Sequence, residues 1–301
     1  MKTSISTLAA ASLIALLAAT TAHAQDVGTI LKNADSYRMS VAGPSQGVKA
    51  PSGGSERSER GGMPLSDNLQ VDTLVQVFNT DGTPDKERRY TVFAQSGRQS
   101  LVLMQSPAEK GQKVLMLGDD FWLLMPNSQR PLRITPMQKL LGDASTGDIA
   151  TMSWSGDYTA TLNGEEACQP AGAADAATPP DAAKSQEKNA PAAFFASKVC
   201  YQLSLQASRK GVTYQRIELW VGKQRHEPVR ANLYVQSDKL AKQARFVMDK
   251  PGAGATVSAM VLTDQLSNQK QTRVTYLSRK ERTVPAEWLN PMFLARNPSL
   301  E

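Results

Sequence analysis

The chain has 301 residues and a formal net charge of +6, and 21% of its residues are charged. Of the two Cys and two His, His23 falls within residues 1–24, which read as a leader, so the remaining two Cys and His226 supply too few ligands for a Cys/His zinc site; the length accommodates one large domain or two small ones. A mild positive excess suits contact with anionic head groups, although most such charge only solvates a surface.

Residues 1–24 carry one charge (Lys2), an apolar run over 8–19 and the ending Ala22-His23-Ala24. That pattern predicts a secretory signal peptide with a small-x-small cleavage site; its apolar run is shorter than the ~20 residues that span a bilayer. Export to the periplasm argues against nucleic acid as a partner and leaves peripheral membrane contact only. The mature chain, 25–301, is read as a single domain.

Residues 26–39 form an expected amphipathic helix. Val27, Ile30, Leu31, Ala34 and Tyr37 recur at helical spacing, with Lys32, Asn33, Asp35 and Arg38 elsewhere. Residues 42–67 are rich in Gly, Pro and Ser and read as a loop. From Leu69 the period changes to two. Leu69, Val71, Thr73, Val75 and Val77 alternate with Gln70, Asp72 and Gln76, and Asp81-Gly82 then marks a turn. Further strands are expected at 88–95, with Tyr90, Val92 and Ala94 on one face, and at 99–105. Those at 113–117 and 121–125 are joined by the hairpin signal Gly118-Asp119-Asp120. Thr135-Pro136 opens a short helix over 136–141, closed by Gly142. Strands resume at 153–162, 199–207, 213–221, 229–236, 242–248, 256–263 and 271–277. About eleven strands in hairpin-length steps, with few helices, predict a mainly β fold whose antiparallel sheet is strongly curved.

An insertion at 169–199 is Ala/Pro-rich and low in complexity, between Cys168 and Cys200. In an oxidising compartment these two are expected to form a disulfide, worth about 3–4 kcal/mol on the chain-entropy view. No Cys-x-x-Cys is present to suggest redox chemistry.

Local motifs for catalysis are weak. Gly43-Pro44-Ser45-Gln46-Gly47 has the spelling of a nucleophile elbow, but Val48 to Gly54 include Pro and two Gly and cannot form the helix that motif requires. His226 lies in a polar turn and reads as a surface side chain. Asp119-Asp120 and Glu165-Glu166 sit in or beside turns and lack the ligand pattern of a calcium loop. No catalytic residue, cofactor or metal is assigned. The basic stretch from Arg130 to Pro136 offers Arg130 and Arg133 for head-group or partner contact.

The strongest signal is distributed. More strands have an apolar alternate face than the few helices can cover, so a curved sheet either encloses an apolar cavity or is filled by its own side chains. The expected lining is Val71, Val75, Val77, Tyr90, Val92, Leu101, Leu103, Trp122 and Leu124, with Ile30, Leu31 and Tyr37 from the helix acting as a lid. A slip of one residue in register would invert any of these strand sets.

Several segments resemble the outer membrane lipoprotein-sorting protein family, periplasmic proteins similar in fold to the LolA and LolB carriers. They are Phe121-Trp122-Leu123-Leu124-Met125-Pro126, Arg130-Pro131-Leu132-Arg133-Ile134, Gly142-Asp143-Ala144-Ser145-Thr146-Gly147-Asp148-Ile149 and Gly156-Asp157-Tyr158. Ala34-Asp35-Ser36-Tyr37-Arg38 near the start and Val284-Pro285-Ala286-Glu287-Trp288-Leu289 near the end resemble it too. Gly142-Asp143-Ala144-Ser145 and the insertion depart from the family pattern. The resemblance implies an unclosed antiparallel β-barrel with a helical lid over an apolar concave face. It also implies a non-enzymatic carrier of lipoprotein or other lipid cargo, working with an inner-membrane transporter of the ABC or resistance-nodulation-division (RND) type and an outer-membrane acceptor. Two alternatives stay open: a LolA-like sensor that binds lipoproteins and reports through a membrane protein, and, more remotely, a hydrolase.

Overall fold

The computed structural model describes residues 26–39, 68–134, 148, 153–169, 197–209, 211–250, 254–266 and 269–300. The expected leader 1–24, the loop 42–67, the Ser45 motif, the helix 136–141 and the interior of the insertion lie outside the described residues.

Helix α1 (Val27–Met39) starts where Asp26 caps it. The Asp26 carboxylate accepts from the Gly28 N–H at 3.1 Å and from the Thr29 hydroxyl at 2.6 Å. Both bonds favour the ionised form, so its pKa lies below the usual value, the Thr29 bond contributing most. Then come β1 (Leu69–Phe78), β2 (Pro84–Gln95), β3 (Gln99–Met104), β4 (Lys113–Leu117), β5 (Asp120–Leu124) and β6 (Leu132–Ile134). A second helix, α2 (Trp154–Asp157), precedes β7 (Tyr158–Ala167) and β8 (Val199–Ala207). β9 (Arg216–Gly222), β10 (Pro228–Tyr234), β11 (Leu240–Met248), β12 (Val257–Asp264) and β13 (Gln271–Glu281) follow. The chain ends in a 3-10 turn (Ala286–Leu289) and helix α3 (Pro291–Leu294).

All thirteen strands form one antiparallel sheet in the order β6-β5-β4-β3-β2-β1-β13-β12-β11-β10-β9-β8-β7. The first and last strands meet at its centre, Val75 opposite Val274, and the ladder is left open at β6 and β7. Register shifts at Asp72/Thr73, Leu162/Gly164 and Val247/Met248 add the local bends by which a sheet of this width curls. At the β4–β5 hairpin Gly118 adopts φ +60°, a conformation a Cβ would strain.

Each strand segment expected from the sequence corresponds to one observed strand, and the addition is β6, where Pro131 and the neighbouring Arg130 and Arg133 masked a short edge strand. Ser153 opens no strand. It caps α2, accepting from the Gly156 N–H at 3.1 Å, and β7 begins at Tyr158. β9 starts at Arg216 rather than Thr213.

Both faces of the sheet are buried over β2–β5. The larger cluster joins Ile30, Leu31, Ala34 and Tyr37 of α1 to inward residues of strands from both halves, among them Val92, Leu203, Leu219 and Val274. The smaller lies on the outer face. There Phe93, Leu101, Leu115 and Leu124 receive Val284, Trp288 and Leu294 from the C-terminal segment. Cys168 and Cys200 are bonded, with Cα atoms 4.9 Å apart, and pack with Trp220 and Val229 in a third cluster.

Candidate functional site

Helix α1 lies on the concave face, and polar groups fix it there. Asp35 is 0% exposed. Its carboxylate accepts from the main-chain N–H groups of Trp154 at 3.0 Å and Ser155 at 2.7 Å, and from the Ser155 hydroxyl at 2.7 Å. Arg38 stands 3.5 Å from it and stacks 4.1 Å from the Trp154 ring centroid. Burial pushes the Asp35 pKa up, with Arg38 and the donors from Ser155 and Trp154 opposing. Asp157 of α2 is in turn held by Arg98 at 3.2 Å and Arg209 at 2.9 Å.

The other side of α1 meets the β9–β10 turn. The Asn33 amide nitrogen lies 3.0 Å from His226 Nδ1, and the Tyr37 hydroxyl donates to the Arg225 carbonyl at 3.0 Å. Burial, and secondarily the Glu227 charge, push the Tyr37 phenol up to about 12. Glu227 is buried, accepting from the Ser197 N–H at 3.2 Å. A Cβ on Gly222 would meet its carboxyl at 2.4 Å, so this close approach requires glycine.

Beside the C-terminal end of α1 a pocket of about 50 Å³ opens between the helix and the sheet. Leu69, Val71, Thr73, Val92 and Ala94 form its floor, and Arg38, Met39, Tyr276, Arg279 and Asp148 its rim. Asp148 is committed elsewhere, accepting from the Tyr214 hydroxyl at 2.6 Å and from Lys242 Nζ. The volume admits a few waters and falls far short of an acyl chain.

A family model described as "-like: Uncharacterized protein" matches residues 96–296, more than half of the chain. The chain belongs to that family. No curated protein matches it. Among solved structures it is similar to a LolA superfamily protein from Nitrosomonas europaea, at 24% identity and a TM-score of 0.62, over 87% of this chain and 96% of the other. A domain described as outer membrane lipoprotein-sorting, from Vibrio parahaemolyticus, aligns at 15% identity and a TM-score of 0.55, over 76% and 92%. A DUF1329 family protein from Desulfovibrio piger aligns at 20% identity and a TM-score of 0.54, over 75% and 90%. The fold is therefore LolA-type, as the sequence resemblance implied.

Within this LolA-type fold the expected lining divides between two faces. Ile30, Leu31, Tyr37, Val71, Val75, Tyr90 and Val92 belong to the cluster on the concave face that includes α1. Val77 is buried on the same side of β1 but joins neither large cluster. Leu101, Leu103, Trp122 and Leu124 are corrected: they face outward beneath the C-terminal segment. The register explains this, because Val92 opposes Val102 while Phe93 opposes Leu101, and Leu115 opposes Trp122. The inward residues of these strands are Val102, Val114, Met116 and Phe121.

Arg130 and Arg133 are exposed around edge strand β6, and Arg133 donates to Asp120. The paired carboxylates each find partners: Asp119 with Arg209, Asp120 with Arg133, Glu165 with Lys223 and Glu166 with Arg230. His226 is corrected from surface to buried, because the β9–β10 turn folds beneath α1. Sequence reasoning also placed Asp35 away from the apolar stripe, although it is the most buried polar group of α1. A carboxylate flanked by Ala34 and Ser36 was the available signal.

Proposed function

We propose that the protein is a periplasmic, non-enzymatic carrier that shelters acyl chains of a lipoprotein or another lipid between α1 and the concave face. The observation that carries this reading is a wide sheet whose apolar concave face is met, among the described residues, by the 13-residue α1, which packs on it through Ile30, Leu31, Ala34 and Tyr37 and is oriented on both sides by polar contacts. Such contacts can be exchanged with water one at a time, at about 0.5–1.5 kcal/mol per neutral hydrogen bond and about 1.5–3 kcal/mol where the partner is a charged group.

The magnitudes balance. Displacing α1 exposes Ile30, Leu31, Ala34 and Tyr37, the larger of which are each worth roughly 1.5–3 kcal/mol. A long acyl chain contributes about 0.8 kcal/mol per buried methylene. Cargo can therefore take the place of the helix without a large bias either way, which suits loading and release. The lipoprotein-sorting description of a fold relative supports the same reading. In it, an inner-membrane transporter of ABC or RND type supplies cargo and an outer-membrane acceptor receives it. The disulfide and the leader-like residues 1–24 support an exported protein. Among the described residues no helix is long and apolar enough to cross a membrane.

The test is retention of a fluorescent fatty-acid probe by wild type, Val71→Glu and Gln76→Glu, each verified as folded by circular dichroism. Val71 lies in the pocket floor and Gln76 on the other strand face, beside Glu87. Wild type should bind, Val71→Glu should lose roughly tenfold or more, and Gln76→Glu should bind as wild type does. A folded wild-type protein that retains no lipid overturns the carrier reading.

A further inference from the structure

The rim of the pocket holds a cation that, among the described residues, has no carboxylate within ion-pair distance, although the Asp249 charge reaches it. Arg279, on β13, donates through Nη2 to the Val257 carbonyl at 2.5 Å and through Nη1 to the Thr256 hydroxyl at 3.4 Å. Its guanidinium carbon stands 4.6 Å from the Tyr276 ring centroid. Its Nε–H is buried with no acceptor, and among the described residues it pairs with no carboxylate. The nearby acids are committed. Asp249 accepts from the Thr256 N–H at 2.8 Å and the Thr256 hydroxyl at 3.2 Å. Asp148 is held by Tyr214 and Lys242, and Asp35 by α2 and Arg38.

A guanidinium presented without an anion in a pocket wall of Leu69, Val71 and Val92 is costly unless something completes it. Arg38, on the same rim, adds positive field. Burial holds the Arg279 pKa below its ordinary value against the opposing influence of Tyr276 and Asp249, with a smaller contribution from the Arg38 charge.

We propose that this pocket binds the anionic end of an amphiphile, a carboxylate or phosphate, with Arg279 as its direct partner and the apolar tail directed along β1 and β2 beneath α1. The tail rests on the carrier reading; the anion site does not.

Binding of palmitate, hexadecanol and inorganic phosphate is measured by titration calorimetry on the delipidated protein as the cell processes it, for wild type, Arg279→Gln and Arg279→Lys. Palmitate should bind wild type about tenfold tighter than hexadecanol, the size expected of one charge-assisted hydrogen bond. Arg279→Gln should erase that preference by weakening palmitate alone, Arg279→Lys should keep part of it, and phosphate should compete with palmitate. Equal binding of the two lipids to wild type, unchanged in Arg279→Gln, overturns the anion site and leaves the carrier reading standing. Arg279-dependent binding of phosphate with no binding of either lipid supports the anion site as one for free phosphate and removes the carrier reading. No binding of any probe overturns both. Should Arg279→Gln fail to fold, the wild-type ratio of palmitate to hexadecanol decides by itself.

Discussion

The two covers of the β2–β5 region are built on different principles. On the outer face Trp288 meets Phe93 edge to face at 5.5 Å, with Val284 and Leu294 beside it. Gln95 fastens the segment at both of its ends, its amide donating to the Arg282 carbonyl at 2.9 Å and its oxygen accepting from the Val284 N–H at 3.1 Å. Lys113 reaches Asn297 at 2.6 Å. On the concave face, α1 also packs apolar residues, but the groups that orient it are a buried carboxylate, an imidazole and a phenol. Apolar interlocking resists separation as a unit, whereas hydrogen bonds can be traded one at a time for water. The outer cover is fixed structure, and on the carrier reading proposed above the inner one is a closure that opens.

The largest expected effect breaks the outer cover. Trp288→Ala should lower stability by about 3–5 kcal/mol in urea titration, while lipid retention by the folded fraction stays unchanged. Lost retention at equal folded fraction would mean that the two faces are coupled.

Asp35→Ala comes next. It strips an acceptor from two main-chain N–H groups and leaves Arg38 without its partner carboxylate, at about 1.5–3 kcal/mol. Faster amide exchange should appear in α1 and α2 and be absent around Trp288.

Asp35 also sets a pH dependence. Because its folded pKa is raised, the folded protein binds the proton at a higher pH than the unfolded chain does. Its contribution to stability therefore declines as pH climbs from the ordinary value of 3.8 through the raised one. Asp35→Asn should flatten that part of the thermal-melting profile, and an unchanged slope would assign it to other groups.

Tyr37→Phe is the smallest change. Losing the bond to the Arg225 carbonyl should cost about 0.5–1.5 kcal/mol, visible as faster exchange at Ile30 and Leu31 with no change in the fluorescence of Trp288.

Much of this was readable before the fold was known. β4 and β8 coincide with their expected limits, because each is a short apolar run ending at a turn or the insertion. The disulfide followed from two cysteines that bracket an insertion in an expected oxidising compartment, and the α1 stripe from helical spacing. The inward face of β3 did not. Leu101, Val102 and Leu103 are all apolar, and alternation carries no sign when both sides of a strand are covered. Phe121 and Trp122 pose the same ambiguity on β5. The buried His226 and Asp35 escaped for another reason: their partners lie 193 and 119 residues away, beyond what any local pattern encodes.

The seam between β1 and β13 has a consequence for how the chain folds. β1–β6 and β7–β13 are meanders whose neighbouring strands are consecutive in the chain, closely spaced except for β7 and β8 on either side of the insertion, and each can form from contacts within its own half. The seam joins Leu69 to Glu281, so no part of it closes until nearly the whole polypeptide has emerged. Loop closure over that span is slow, and the two half-sheets meanwhile expose the edges that will become the centre. We expect the union of the first strand with the last to limit the folding rate, and α1, which precedes β1, to gain its complete bed only after that union.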